Sequence, residues 1–250
     1  MTSHPPHAAQ PAAPSAPARL SLISDGALTS RLAALAFRVI SLALILTGLI
    51  RITGVFTAEP TWGALRYYTV LSNLLCLVWV VLLIVRTLRD IAETGPRGFS
   101  TPSARWSGTV MMAITVTFLV YLIVLVPATF QQEGDYVPFS LTDNLIHIIT
   151  PILLILDWLL FVPKGRLRWT DPLLWTLLPY AYLVYAISYG TSGGEFAGGV
   201  NYAYPFLDFA RHGVGGVALW IVVLTIALVG VGYVYIVLDR LLARAFRGRP

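Results

Sequence analysis

Six long apolar runs follow one another through the 250-residue chain, at about Ala33–Ile50, Tyr68–Val85, Thr109–Ala128, Leu141–Val162, Pro172–Tyr189 and Gly213–Val237. Each approaches the ~20 residues that an α-helix needs to cross a hydrocarbon core ~30 Å thick. Polarity within each run is uniform rather than alternating, which is the mark of helical spans and not of barrel strands. The expected fold is all-α: a polytopic membrane protein, a bundle of six transmembrane helices. Composition agrees, because only 12% of residues are charged and 57% are hydrophobic. A soluble domain carries roughly a quarter charged residues.

Three regions are expected. Residues 1–30 form a Pro/Ala-rich tail, with five prolines and six alanines before Arg19; such a stretch buries too little surface to fold. It lacks the charged start and apolar core of a signal peptide. His4 and His7 fall in this tail and read as tail residues. Residues 31–240 hold the six spans, and 241–250 form a short basic C-terminal tail.

Charge sets the orientation. Of seventeen Lys and Arg, thirteen lie in the N-terminal tail, the second and fourth loops and the C-terminus. Only Arg51, Arg66 and Arg211 lie in the alternate loops. The positive-inside tendency then places both termini in the cytoplasm, as expected of a protein integral to a bacterial plasma membrane. The net charge of +5 does not indicate nucleic acid, since the basic residues flank spans and form no continuous patch. One cysteine, Cys76, excludes an intrachain disulfide framework, and no metal-ligand cluster or cofactor motif is present.

With this topology, Thr69, Ser72 and Asn73 fall in the outer part of span two, and Asn144, His147 and Thr150 at comparable depth in span four. Tyr185, Tyr189, Asn201, Tyr202, Tyr204, Asp208, Arg211 and His212 gather on the same side. Thr69 and Asn73 share a helix face, as do Asn144, His147 and Pro151. An ionisable group within a span faces the bundle interior or a wet cavity. His147 therefore has two readings, an interhelical hydrogen bond that fixes packing or a proton acceptor. Thr69 alone would more often bond its own backbone. Arg38 and Asp157 lie toward the other side, either as a buried ion pair or with Arg38 reaching the headgroups. Either role is structural. The glycine-rich stretch 190–200 lacks a following Gly-Lys-Ser/Thr and reads as a flexible external loop.

Three blocks carry a family resemblance. They are Leu65-Arg-Tyr-Tyr-Thr-Val-Leu-Ser-Asn-Leu-Leu75, Asp143-Asn-Leu-Ile-His-Ile-Ile-Thr-Pro-Ile-Leu-Leu-Ile-Leu-Asp157 and Tyr204-Pro-Phe-Leu-Asp208. In order and spacing the chain resembles the androgen-induced protein family of multi-pass membrane threonine hydrolases and its bacterial relatives of the Pr-six-Pr type. The resemblance implies an intramembrane hydrolase of fatty acyl esters, with Thr69 as nucleophile and His147 as its base. Asp143 and Asn144 stand where the animal pattern has an asparagine and a histidine, and Pro151 is shifted by one. An acyl-enzyme route also needs an oxyanion donor, for which Asn73, Asn144 or a backbone amide are candidates. The expected partner is membrane lipid. Two other readings share the same polar cavity: a transporter or small-ligand binder, and a packing or partner-binding protein without chemistry.

Overall fold

The computed structural model describes residues 23–129 and 138–247. Six helices are long and apolar enough to cross a membrane: α1 (Arg31–Thr53), α2 (Tyr68–Thr94), α3 (Ala104–Leu125), α4 (Leu141–Phe161), α5 (Asp171–Thr191) and α6 (Phe209–Phe246). The chain is thus an all-α polytopic bundle. α1 to α4 pack closely on one another, and α3 is the most buried. α5 and α6 lie against this group and leave most of their apolar surface exposed. Exposed Val184, Val214, Leu219 and Ile226 are what a lipid-facing surface requires.

The helix ends have local causes. Ser30 caps α1 by accepting a hydrogen bond from the Ala33 amide, and Gly54 in left-handed conformation ends it. Ser103 caps α3 in the same way. α6 breaks at Gly213, whose φ of 63° and ψ of 174° are not helical. α5 contains a break at Thr176, between helical segments Asp171–Trp175 and Leu177–Thr191.

The N-terminal tail was expected to stay unfolded through residue 30. Residues 1–22 lie outside the described part, but Ile23–Ser24 and Ala27–Leu28 pair as short antiparallel strands, β1 and β2. They close over the end of α4, where the Lys164 amide donates to the Asp25 carbonyl. Buried Ala27 and Thr29 anchor this turn against the bundle. At the other terminus, helix continues through the expected tail to Arg247.

The end of the bundle carrying β1 and β2 is held by buried charge. Arg38 Nε donates to Asp157 Oδ1 at 2.7 Å and Nη2 to Oδ2 at 3.3 Å. Arg38 Nη1 also donates to Thr87 Oγ1 and the Ser100 carbonyl. Both side chains are buried, so the ion pair forms and Arg38 does not reach outward. Arg105 pairs with Asp171, joining the starts of α3 and α5.

Candidate active site

The site forms at the opposite end, where α2 and α4 begin. Tyr67 is extended, and α2 starts at Tyr68. Thr69 therefore lies in the first turn, where backbone amides have no partner within the helix. Its amide donates instead to Tyr204 Oη at 3.3 Å. Its side-chain hydroxyl lies 3.4 Å from His147 Nε2. The structure thus brings Thr69 and His147 together, both buried.

His147 reaches this place through an irregular turn. Residues Asn144–Ile149 form a π-helical segment, closed by the Thr150 amide on the Leu145 carbonyl. Pro151 follows immediately. Its ring clashes with the carbonyl four residues back in a regular helix, and it has no N–H to donate. In the wider register its missing donor would have served the Ile146 carbonyl. Asn73 supplies that bond from α2: its Nδ2 donates to the Ile146 carbonyl at 2.9 Å and to the Thr69 carbonyl at 2.7 Å. α1 can approach the widened turn because it presents Gly48, where a Cβ would lie 3.0 Å from Ile146 Cγ2.

A second π segment faces the first. Tyr121–Leu125 ends α3, with the Val126 amide on the Tyr121 carbonyl and Pro127 next in sequence. It places the Tyr121 ring parallel to the His147 imidazole, at 4.1 Å between centroids. Paired π turns of this kind often mark functional positions in helices.

Behind the imidazole stands Asp143. Its Oδ1 is 3.8 Å from His147 Nδ1, too far for a hydrogen bond. Among the described residues Nδ1 has no hydrogen-bond partner, so the carboxylate acts on the ring through its charge. Asp143 is fixed by Ser140, whose hydroxyl donates to Oδ2 at 2.7 Å and accepts from the Asp143 amide. This is a reciprocal cap at the start of α4.

The candidates for an oxyanion donor fare differently. Asn73 is fully buried, but both Nδ2 bonds are spent on backbone carbonyls. Asn144 commits its Nδ2 to the Phe139 carbonyl at 2.9 Å. Neither side-chain amide is free to meet an anion beside Thr69. Tyr204 is better placed: its hydroxyl oxygen already touches the Thr69 amide. Burial raises its phenol above the ordinary range, with hydrogen bonds to Thr69 and Tyr182 opposing. It therefore stays protonated and able to donate.

A cavity of about 540 Å³ opens at Thr69 and His147, walled by Asp143, Ile146, Ala64 and Tyr204. The glycine-rich stretch, expected to be a flexible loop, forms part of this wall. Phe196 is buried edge-on against Tyr67 and Tyr189. Arg66 Nη1 donates to the Glu195 carbonyl. Gly190 is needed for close approach, since a Cβ there would fall 1.9 Å from the Asn201 carbonyl oxygen. Among the described residues, no cluster of side chains suited to a metal ion occurs.

Sequence reasoning singled out Thr69 and His147 but missed Tyr121 and assigned no role to Tyr204. The signals were present as Pro127 and Pro151, each just past an irregular turn, and as a tyrosine four residues beyond Thr117 in an apolar span. No family model, curated protein or solved structure matches the chain. Fold and site together define the class: a six-helix membrane-type bundle with a buried hydroxyl–imidazole–carboxylate row at one end.

Proposed function

We propose that the protein is an intramembrane hydrolase of fatty acyl esters, with its site opening toward the outer face. The carrying observation is the 3.4 Å approach of Thr69 Oγ1 to His147 Nε2 at a cavity, with Asp143 behind the ring. A hydroxyl is a weak nucleophile, and an imidazole within hydrogen-bond reach activates it. The resemblance to the androgen-induced family supports the same two residues.

In this mechanism the Asp143 charge favours the tautomer with hydrogen on Nδ1, leaving the Nε2 lone pair for the threonine proton. As Oγ1 attacks the ester carbonyl, Nε2 takes its proton. Tyr204 Oη donates to the developing oxyanion. The intermediate collapses by breaking the bond to the alcohol oxygen, which takes the proton from His147. Water, activated by the same nitrogen, then cleaves the acyl-threonine to free acid and restores Thr69.

A transporter would use a polar path running through the bundle. The charged groups beyond the site, Arg38 and Asp157, are instead bonded to each other, with Arg38 also donating to Thr87, which favours the enzyme reading. The test is hydrolysis of a long-chain acyl ester by purified protein in nanodiscs. Thr69→Ala and His147→Ala should each abolish turnover while leaving thermal unfolding cooperative. Turnover that persists in both rejects the pair.

A further inference from the structure

A second opening starts at the same threonine. It is a narrow cleft between α3, α5 and α6, and Thr69, Tyr204 and Leu125 line both it and the wide cavity. Beyond them its walls are mainly apolar, with Val120, Leu183, Ile221, Leu224 and Leu228 and the hydroxyls of Thr117, Thr176 and Thr225 among them. Ile221 to Leu228 is seven residues of helix, so the cleft runs along α6 for roughly 10 Å. On its lipid-facing side, exposed Tyr180 of α5 bonds across to Thr225 of α6 at 2.8 Å. The cleft holds about 70 Å³ against about 540 Å³ for the wide cavity. α5 and α6 are the least buried helices, so few contacts oppose their parting.

His147 lines the wide cavity and not the cleft. This asymmetry orients a substrate. The proton carried by His147 must reach the departing alcohol oxygen, so the alcohol leaves through the wide cavity. The acyl half then lies on the other side of Thr69.

We propose that the cleft between α3, α5 and α6 is the acyl-chain site, and that it selects linear chains by length. The proposal deepens the hydrolase reading and rests on it. An extended chain with C–C bonds of about 1.5 Å advances roughly 1.3 Å per carbon, so the length of the cleft matches roughly eight carbons, which enter as α5 and α6 part. Apolar walls supply the binding, at about 25 cal/mol per Å² of chain removed from water. A linear chain needs α5 and α6 to part least and a branched or ring-bearing acyl group needs a wider opening, whereas the wide cavity accepts varied alcohols.

The experiment uses full-length protein in nanodiscs and acetyl, octanoyl or palmitoyl esters of two fluorogenic alcohols, one small and one bulky. Leu224→Trp fills the cleft and should lower the octanoyl-to-acetyl ratio of kcat/KM by about tenfold, the scale of pocket-fit discrimination. Ala197→Trp narrows only the wide cavity and should leave that ratio unchanged while discriminating against bulkier alcohols. Equal loss on all chain lengths in Leu224→Trp, or a chain-length shift in Ala197→Trp instead, overturns the assignment. A diazirine-bearing fatty acid gives a readout without turnover. Label on residues 176–183 and 221–228, reduced by Leu224→Trp, supports the chain site even if no ester is cleaved, in which case the hydrolase reading alone falls. Label spread evenly over lipid-facing residues overturns the chain site while leaving ester turnover, where observed, intact.

Discussion

The Tyr121 ring lies flat on the His147 imidazole, 4.1 Å away and within 12° of parallel. The contact joins two π turns from different helices, each followed by a proline, and fixes the plane in which Nε2 addresses Thr69. The Tyr121 hydroxyl is engaged separately, accepting from the Phe139 amide at 3.0 Å.

In the hydrolase reading the stack positions the ring, while the tyrosine hydroxyl is engaged by the Phe139 amide. Tyr121→Leu should lower kcat by up to about 100-fold through misplacement of the base, with a smaller change in KM. Tyr121→Phe keeps the stack and should retain most of the rate. Steady-state kinetics on the two variants checks this, and equal losses in both would assign the effect to the hydroxyl.

Asn73 substitutes for the donor that Pro151 lacks. Asn73→Leu leaves the Ile146 carbonyl without that bond in a buried setting and should cost about 1–3 kcal/mol. Thermal unfolding in detergent measures the cost. Pro151→Ala should lessen it, because the restored amide can serve a carbonyl in its own helix.

At the other end, Arg38 and Asp157 form a buried pair. Removing one partner leaves an uncompensated charge, so Asp157→Ala should destabilise by about 3–5 kcal/mol. The double change Arg38→Met, Asp157→Leu should recover much of that loss. Denaturation of the native protein and these two variants decides between a pair retained for stability and a double variant as unstable as the single one.

Lys164, in the loop after α4, donates from Nζ to the carbonyls of Trp158, Leu159 and Val162. Burial pushes its ammonium from 10.5 down to about 8, with the charges of Asp239 and Asp157 opposing. Between those values the unfolded chain holds more protons than the folded one, so stability rises with pH from about 8 toward 10.5. Below about 8 the group is charged in both states and contributes no slope. Melting temperatures across this range should climb in the native protein, and Lys164→Met should flatten the climb.

Much of the architecture was legible in the sequence because span length and uniform polarity follow directly from the bilayer's thickness. The Thr69–His147 pair was picked out by the family resemblance, and topology added only that two spans entering from the same side bring these residues to comparable depth. Less visible was anything dependent on helix irregularity. Asn73 looked like a free polar group, and only the π turn before Pro151 shows that its amide is committed to backbone. Tyr204 and Phe196 come from a loop whose glycines suggested freedom, yet Gly190 serves close packing against Asn201. Local composition does not reveal which neighbour a glycine lets in.

The central claim is that Thr69 is an activated nucleophile. A long-chain fluorophosphonate, which bonds covalently to such hydroxyls, tests it by peptide mass mapping of the labelled full-length protein. The account predicts the adduct on Thr69, lost in Thr69→Ala and strongly reduced in His147→Ala. An adduct on a different residue, undiminished in Thr69→Ala, would contradict it.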